Sequence, residues 1–538
     1  MKGFEAIAMS LKDQGVTTLF GLIGDANLYM VDCYIRDFGG RYIAATGENA
    51  AALMALGHAA VTNDVGVATI THGPALTNTI TALVEGVKGE MPMVLLAGDT
   101  DKVDKEHGQN VPQREFVIAA GAGFEEIRST ATIAEDINEA FRRARVERRP
   151  IVLNVPAMFQ WEDVEKPVTR PYAINRGCVA PTGTELENVV AIIASAKRPI
   201  IIGGRGMIGD GAPEAVVRLA NRIGAVLATT LKGKGLFHGE PSNVGIFGSL
   251  SFNDAAEAIS MSDCVIAFGA SLNRFTTVGK RLLQGKRVIQ INHDMSQSGR
   301  FAHPDATLVG HPGRAADRIV ALLDEAEIPA SGFAEEFAQV RAGLQAPPPD
   351  HSTAHGTVHM STAMHRLEKE LPTDRILVTD GGRFLSEVWR EISVSTPGSF
   401  VFTNNFGAIG LGLAQAIGAS AAANGRTTLL VSGDGGFMLS GATEFNTAVR
   451  EKMDLVVVIC NDRGYGAEFI QFRNKEMDPA ISLFDWPDFA PVAEAMGGYG
   501  VTVRSEADLD NAAEMIRSKQ RPLLIDLKMD PDRIPVNW

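Results

Sequence analysis

Thr427-Thr428-Leu429-Leu430-Val431-Ser432-Gly433-Asp434-Gly435-Gly436, with Asn461-Asp462-Arg463-Gly464 following after 25 intervening residues from Gly435, is the stretch that decides the fold. Thr427 to Val431 is a short apolar, β-branched run and predicts a buried strand. Gly441 to Arg450 has helical composition, and Leu455 to Cys460 predicts a second buried strand. The unit is strand, turn, helix, strand. Its glycines let backbone N–H groups approach phosphate oxygens, and Asp434 together with an Asn461 or Asp462 side chain returns to one divalent cation at neighbouring strand ends. Oxygen ligands of this kind suit Mg²⁺. A tight turn after a buried strand would use the same residue types, so the rest of the chain must decide.

At 538 residues the chain exceeds what one hydrophobic core supports, and about three domains are expected. Hydrophobic content of 45% with 21% charged residues fits a soluble globular protein. The net charge of −14 and the absence of a Lys/Arg block argue against nucleic-acid and anionic-membrane partners. Cys33, Cys178, Cys264 and Cys460 are widely spaced, which indicates neither a zinc site nor a disulfide framework and fits a reducing cytoplasm. Residues 1–14 have amphipathic rather than signal-like spacing, and no apolar run reaches membrane-spanning length. A cytoplasmic protein is expected.

Strand-like runs alternate with helical segments throughout: Val65 to Thr71, Met93 to Ala97, Ile151 to Val155, Ile200 to Gly203 and Val288 to Asn292. That rhythm predicts an α/β chain with parallel sheets flanked by helices. Trp161 to Pro181 and Ala346-Pro347-Pro348-Pro349-Asp350 read as linkers. They divide the chain into residues 1–165, 182–330 and 356–538. The first and third pieces share a Gly-rich strand end and a similar alternation, which hints at two related domains around a different one.

In the first piece, Tyr42-Ile43-Ala44-Ala45-Thr46-Gly47-Glu48 leads from a strand into the Ala-rich helix Asn49 to Gly57, so Glu48 opens a helix. Thr18-Leu19-Phe20-Gly21-Leu22-Ile23-Gly24-Asp25 precedes it and Thr71-His72-Gly73-Pro74-Ala75-Leu76-Thr77-Asn78 follows. The third piece adds Asn405-Phe406-Gly407-Ala408-Ile409-Gly410-Leu411-Gly412. Taken with the Gly-Asp-Gly segment, these stretches resemble the thiamine diphosphate (ThDP) enzymes related to acetolactate synthase, pyruvate decarboxylase and benzoylformate decarboxylase. The likeness spans essentially the whole chain. It implies a pyrimidine-binding domain, a Rossmann-like middle domain and a diphosphate-binding domain, in that order.

The resemblance assigns roles residue by residue. Glu48 would hydrogen-bond a pyrimidine ring nitrogen and favour the tautomer that removes the thiazolium C2 proton. Ile409 would lie under the bend of the cofactor, with the Gly407 carbonyl receiving the pyrimidine amino group. Gly433, Asp434, Gly435, Gly436, Asp462, Gly464 and Tyr465 would hold the diphosphate end, with Gly382 and Arg383 of Asp380-Gly381-Gly382-Arg383 as a second diphosphate contact. The metal ligands would be Asp434, the Gly464 carbonyl and the side chain of Asn461 or Asp462. An Asp at the second position departs from the family's commonest Asn-Asn and adds negative charge beside a diphosphate.

For the reaction, Asp25, His107 and Glu468 resemble the acid–base residues of the decarboxylases, although the usual His-His pair is reduced to His107 alone and Ile23 replaces a Pro. His72 stands where acetolactate synthases commonly have Ser, and Gln113-Arg114-Glu115-Phe116 resembles a segment that lines the site from the partner subunit. Leu28, Tyr465, Phe469 and Phe472 would line a partly apolar substrate pocket. Glycine-rich strand ends at Ile200 to Gly206 and Val265 to Arg274 suit a middle domain that holds FAD, ADP or nothing, with Arg205, Phe247-Gly248-Ser249-Leu250 and Asn273-Arg274 as FAD contacts. The implied enzyme is a Mg²⁺/ThDP lyase or transferase, most simply a non-oxidative 2-oxo acid decarboxylase with some carboligation. An acetolactate-synthase-type carboligase with structural FAD, a diketone or acyloin lyase or hydrolase, and a non-catalytic ThDP-binding protein are the alternatives. A small carbonyl substrate and a homodimer or homotetramer with sites between subunits complete the expectation.

Overall fold

The computed structural model describes residues 1–101, 103–104, 106–167, 171–172, 179–209, 211–344 and 352–534. The Pro-rich linker at 346–350, Cys178 and parts of the first linker lie outside the described residues.

Three six-stranded sheets organise the chain. The first consists of β1 (Thr18–Gly21), β2 (Arg41–Ala44), β3 (Gly66–Ile70), β4 (Met93–Asp99), β5 (Gly123–Glu126) and β6 (Pro150–Pro156). The second contains β7 (Pro199–Gly203), β8 (Val226–Thr229), β9 (Asn243–Ile246), β10 (Cys264–Phe268), β11 (Arg287–Asn292) and β12 (Ala306–Val309). The third contains β13 (Ile376–Thr379), β14 (Phe400–Phe402), β15 (Thr428–Gly433), β16 (Leu455–Asn461), β17 (Tyr499–Val503) and β18 (Leu523–Lys528). Strand order is β2-β1-β3-β4-β6-β5 in the first and β14-β13-β15-β16-β18-β17 in the third. Renumbered from their own first strands, these two orders are identical. The second sheet, β12-β11-β10-β7-β8-β9, is wound differently. The hint of two related domains around a different one is therefore visible as topology.

Residues 1–175, 352–388 and 401–534 form one compact unit, which carries the first and third sheets; the second unit carries the middle sheet. Within the first unit, Leu429 to Val431 and Leu455 to Ile459 are fully buried, as near-continuous apolar strands of a sheet covered on both faces must be. One core joins both domains, including Leu53, Met54 and Leu56 of the helix Glu48–Thr62 and Leu413, Ala416 and Ile417 of the helix Gly412–Ala421. Each of the Leu, Met and Ile side chains contributes about 1.5–3 kcal/mol by burial. The two helices touch backbone to backbone: a Cβ on Gly57 would meet the Gln415 carbonyl oxygen, and one on Gly418 would meet that of Met54. The pairing 57 with 415 and 54 with 418 makes the crossing antiparallel.

One expectation is corrected. The predicted turn at Gly433 to Gly436 is no turn, because helix begins at Asp434 and runs through a wider π-type stretch, Phe437–Gly441, into Ala442–Arg450. No helix among the described residues is long and apolar enough to cross a membrane.

Candidate active site

β15 and β16 pair in parallel with Gly433 opposite Cys460, so their ends deliver Asp434 and Asp462 to the same edge. Asp434 is the first helical residue; its Oδ1 accepts from the Gly435 N–H at 2.9 Å and its Oδ2 from the Gly464 N–H at 2.8 Å. Asp462 is gripped from β13's end by Arg383, whose Nε and Nη2 donate to Oδ2 at 3.0 and 2.8 Å. Burial, with the Asp462 charge adding to it, pushes Asp434 up to about 8. Burial also raises Asp462, against the opposing pull of Arg383. Asn461 faces elsewhere: its Nδ2 donates to Asp526 at 2.8 Å and its Oδ1 accepts from the Arg463 N–H. Of the two residues left open by the sequence, Asp462 is the one beside Asp434.

Several glycines around this pair exist to admit neighbours. A Cβ at Gly435 would strike the Tyr465 ring, and one at Gly466 would lie 2.4 Å from Asp462 Oδ2 and 2.5 Å from Arg383 Nε. Gly407 and Gly410, at φ +83° and +82°, supply the left-handed backbone that brackets Ile409. Asp380 is wholly buried and accepts from the N–H groups of Gly381 and Gly410 and from the Ser432 hydroxyl. It is thus an internal brace for the Gly407–Gly412 stretch, while Arg383 alone of that turn reaches toward the Asp pair.

At the corresponding edge of the first sheet, Asp25, His72 and His107 come together on loops after β1, β3 and β4, and Glu48 opens the helix after β2. Glu48 is half-buried and its Oε2 accepts from Asn78 Nδ2 at 3.1 Å. Asp25 accepts from the Thr71 hydroxyl at 3.0 Å and lies 3.5 Å from His72 Nε2. The His72 and His107 rings meet edge to face, with centroids 5.1 Å apart. A histidine pair absent from the sequence as neighbours is present in space. Gln113, expected to line the site, is instead buried: it accepts from the Gly73 N–H and donates to the Gly98 carbonyl and Asn154, tying down the turn that carries His72. Glu468 is exposed on the helix Gly466–Asn474 and makes no hydrogen bond or ion pair with this cluster among the described residues.

Three family models match the chain in order. The N-terminal TPP binding domain of thiamine pyrophosphate enzymes covers residues 1–120, their central domain 186–319, and their C-terminal TPP binding domain 380–527. The chain belongs to the thiamine pyrophosphate enzyme family. Among its relatives, a probable acetolactate synthase large subunit of Methanococcus aeolicus is 26% identical, covering 99% of this chain and 92% of that protein. Acetolactate synthase isozyme 2 large subunit of Escherichia coli is 25% identical over 98% of this chain and 96% of its own length. Sulfoacetaldehyde acetyltransferase of Castellaniella defragrans is 26% identical over 94% and 89%.

Within one chain of this thiamine pyrophosphate enzyme the two polar edges do not face each other. The antiparallel crossing near residues 55 and 416 sends Glu48 to one end and Ile409 to the other, roughly 20 Å apart at 1.5 Å per helical residue. In the middle domain, Gly204 and Gly206 pack directly on Gly269, so these glycines serve close packing of strand ends. Phe247 is buried and Asn273 caps a helix by accepting from the Phe275 and Thr276 N–H groups. Those duties account for two of the residues expected to contact FAD.

Proposed function

We propose that the enzyme binds ThDP with Mg²⁺ and cleaves the carbon–carbon bond next to the carbonyl of a 2-oxo acid, with decarboxylation as the primary reaction. The observation that carries the metal reading is the buried pair Asp434 and Asp462, both pushed toward protonation by their surroundings. A hard divalent cation relieves that cost. Two carboxylates, the Gly464 carbonyl and phosphate oxygens would make a ligand set of the kind Mg²⁺ prefers. Gly433, Gly435, Gly436, Gly382, Arg383 and Tyr465 are the proposed diphosphate contacts, Gly407 and Ile409 the proposed bend contacts, and Glu48 the proposed pyrimidine contact.

When bound, ThDP supplies a carbon nucleophile and an electron sink. The chain's own residues supply proton traffic. His72, His107 and Asp25 lie side by side, His72 within 3.5 Å of Asp25 and its ring against that of His107, a grouping suited to delivering a proton to the carbon left after cleavage. Glu468 is proposed to join them from a second copy of the chain, because Glu48 and Ile409 of one chain are too far apart to share a cofactor. The functional unit is accordingly a homodimer or homotetramer. Buried, unpaired Cys33, Cys264 and Cys460 suit a reducing cytoplasm.

Carboligation is the second reading, favoured by relatives named acetolactate synthase and sulfoacetaldehyde acetyltransferase. Incubation of the Mg²⁺/ThDP-loaded enzyme with pyruvate separates the two. Acetaldehyde as the product supports decarboxylation and acetolactate supports the ligase. No turnover across a panel of 2-oxo acids would sink both.

A further inference from the structure

The identical winding of the first and third sheets makes residues at equivalent places comparable, and two buried glutamates occupy such places. Glu85 lies on the helix Ile80–Gly89 after β3, and Glu444 on the helix Ala442–Arg450 after β15. Their relative exposures are 0% and 1%. Each reaches across to the other domain. Glu85 Oε1 accepts from the Asn405 backbone N–H at 3.1 Å and from its side-chain amide at 2.6 Å, and Oε2 accepts from the Phe406 N–H at 2.7 Å. Glu444 Oε1 accepts from the Thr46 N–H at 2.8 Å and from the Thr46 hydroxyl, while Oε2 accepts from the Thr447 hydroxyl at 2.8 Å.

The two targets are themselves equivalent. Thr46 follows β2 and stands two residues before Glu48; Asn405 and Phe406 follow β14 and stand immediately before Gly407 to Gly410. A carboxylate removed from water is costly unless its lone pairs are used, and here they are used on the two segments that lead into the proposed cofactor contacts. Neither bond set is needed to form a helix or a strand. We propose that Glu85 and Glu444 are reciprocal positioning residues, each domain's glutamate fixing the other domain's cofactor loop.

The proposal rests on the ThDP reading of the site and gives the two clamps different duties. Glu85 sets the loop before the bend residues and governs how tightly the cofactor is held. Glu444 sets the approach to Glu48 and governs how fast the cofactor's C2 proton is removed. The amide of a glutamine at position 85 would turn a donor toward one of the N–H donors. At position 444 a glutamine would keep its oxygen for Thr46 and offer its amide to the Thr447 hydroxyl.

The test is a pair of readouts on the Mg²⁺-supplemented full-length enzyme: the ThDP dissociation constant from fluorescence quenching, and deuterium exchange at cofactor C2 followed by NMR at saturating ThDP. Glu85→Gln is expected to weaken ThDP binding at least about tenfold with C2 exchange close to wild type. Glu444→Ala is expected to slow exchange by about 10- to 100-fold with the dissociation constant nearly unchanged, as a small displacement of a reacting group does, and Glu444→Gln is expected to restore the rate. Should Glu85→Gln or Glu444→Ala fail to fold, Asn405→Ala and Thr46→Val remove one bond of each clamp and are expected to give the same split in weaker form. Both readouts moving together in every variant, or neither moving, would overturn the proposal. Wild-type enzyme that binds no ThDP would instead overturn the functional reading, and the clamps' cofactor role with it.

Discussion

Arg383 donates two hydrogen bonds, from Nε and Nη2, to a single oxygen of Asp462, and both side chains are buried. The remaining guanidinium nitrogen, Nη1, is buried with no hydrogen-bond partner among the described residues. An Asp at this position adds a negative charge where an anionic diphosphate is expected, and the arginine cancels it locally. The cation and the carboxylate therefore act as one neutral unit.

Breaking that unit should be worse than replacing it. Removing one partner of a buried ion pair costs about 3–5 kcal/mol, whereas replacing both is often close to neutral. Arg383→Gln alone is expected to lower the melting temperature and weaken Mg²⁺/ThDP binding strongly. The double variant Arg383→Gln/Asp462→Asn should recover most of both, and a thermal scan with a ThDP titration over the four-protein cycle gives the coupling. Additive losses would show that the pair is not a unit.

Asp434 gives the metal-free protein a pH dependence of definite sign. Unfolded aspartate releases its proton near pH 4, while burial and Asp462 hold the folded group up to about 8. Between those values the native state binds more protons than the unfolded chain, so stability falls as pH rises, by up to about 1.4 kcal/mol per pH unit per proton. His58, pushed down to about 4 by burial, contributes the opposite slope below its ordinary 6.5, which places the test at pH 6.5 and above. With EDTA present the melting temperature is expected to fall between about pH 6.5 and 8, and stabilisation by added Mg²⁺ and ThDP should grow over the same range because the cation takes the proton's place. A metal-free protein that becomes more stable across that window would contradict the assignment.

Much of this was legible in the sequence, and the failures have physical causes. Strands such as Leu429 to Val431 announce themselves as unbroken apolar runs, and Glu48 sits at a strand-to-helix junction that composition alone marks. Helix from Asp434 onward was missed because Gly435 and Gly436 are poor helix formers; their small size is required by the Tyr465 ring and by the close approach of Gly410. The histidine pair was invisible because His72 and His107 are joined only through folding, on loops after different strands. Glu85 and Glu444 look like ordinary glutamates on amphipathic helices, and only the interdomain contacts reveal their burial. The bracing role of Asp380 was hidden because its partners, Gly410 and Ser432, are distant in the chain.

The His72–His107–Asp25 cluster should matter for turnover and not for cofactor binding. His72→Phe and Asp25→Asn are expected to reduce kcat by about 10²-fold or more, the usual worth of a positioned acid or base. His72→Phe should leave ThDP affinity unchanged. Glu468→Gln should slow product formation similarly if the second copy brings it to the cluster. Unchanged rates would return these residues to structural roles.

The helix crossing makes a prediction about steric cost rather than charge. An added Cβ at Gly57 would sit 2.0 Å from the Gln415 carbonyl oxygen, and one at Gly418 would sit 1.8 Å from that of Met54. Both contacts are with backbone, which cannot rotate out of the way, so the helices must separate. Overpacking of this kind costs about 1–3 kcal/mol. Gly57→Ala and Gly418→Ala are each expected to lower the melting temperature by several degrees and to weaken ThDP binding, since the same crossing sets how the two domains that carry the proposed cofactor contacts sit against each other. Gly47→Ala is the control: that glycine lies beside Glu48 with extended backbone and nothing within 4 Å of an added Cβ. Its substitution should leave stability within about 0.5 kcal/mol. Equal effects at positions 47 and 57 would mean that the loss comes from glycine's general properties and not from the crossing.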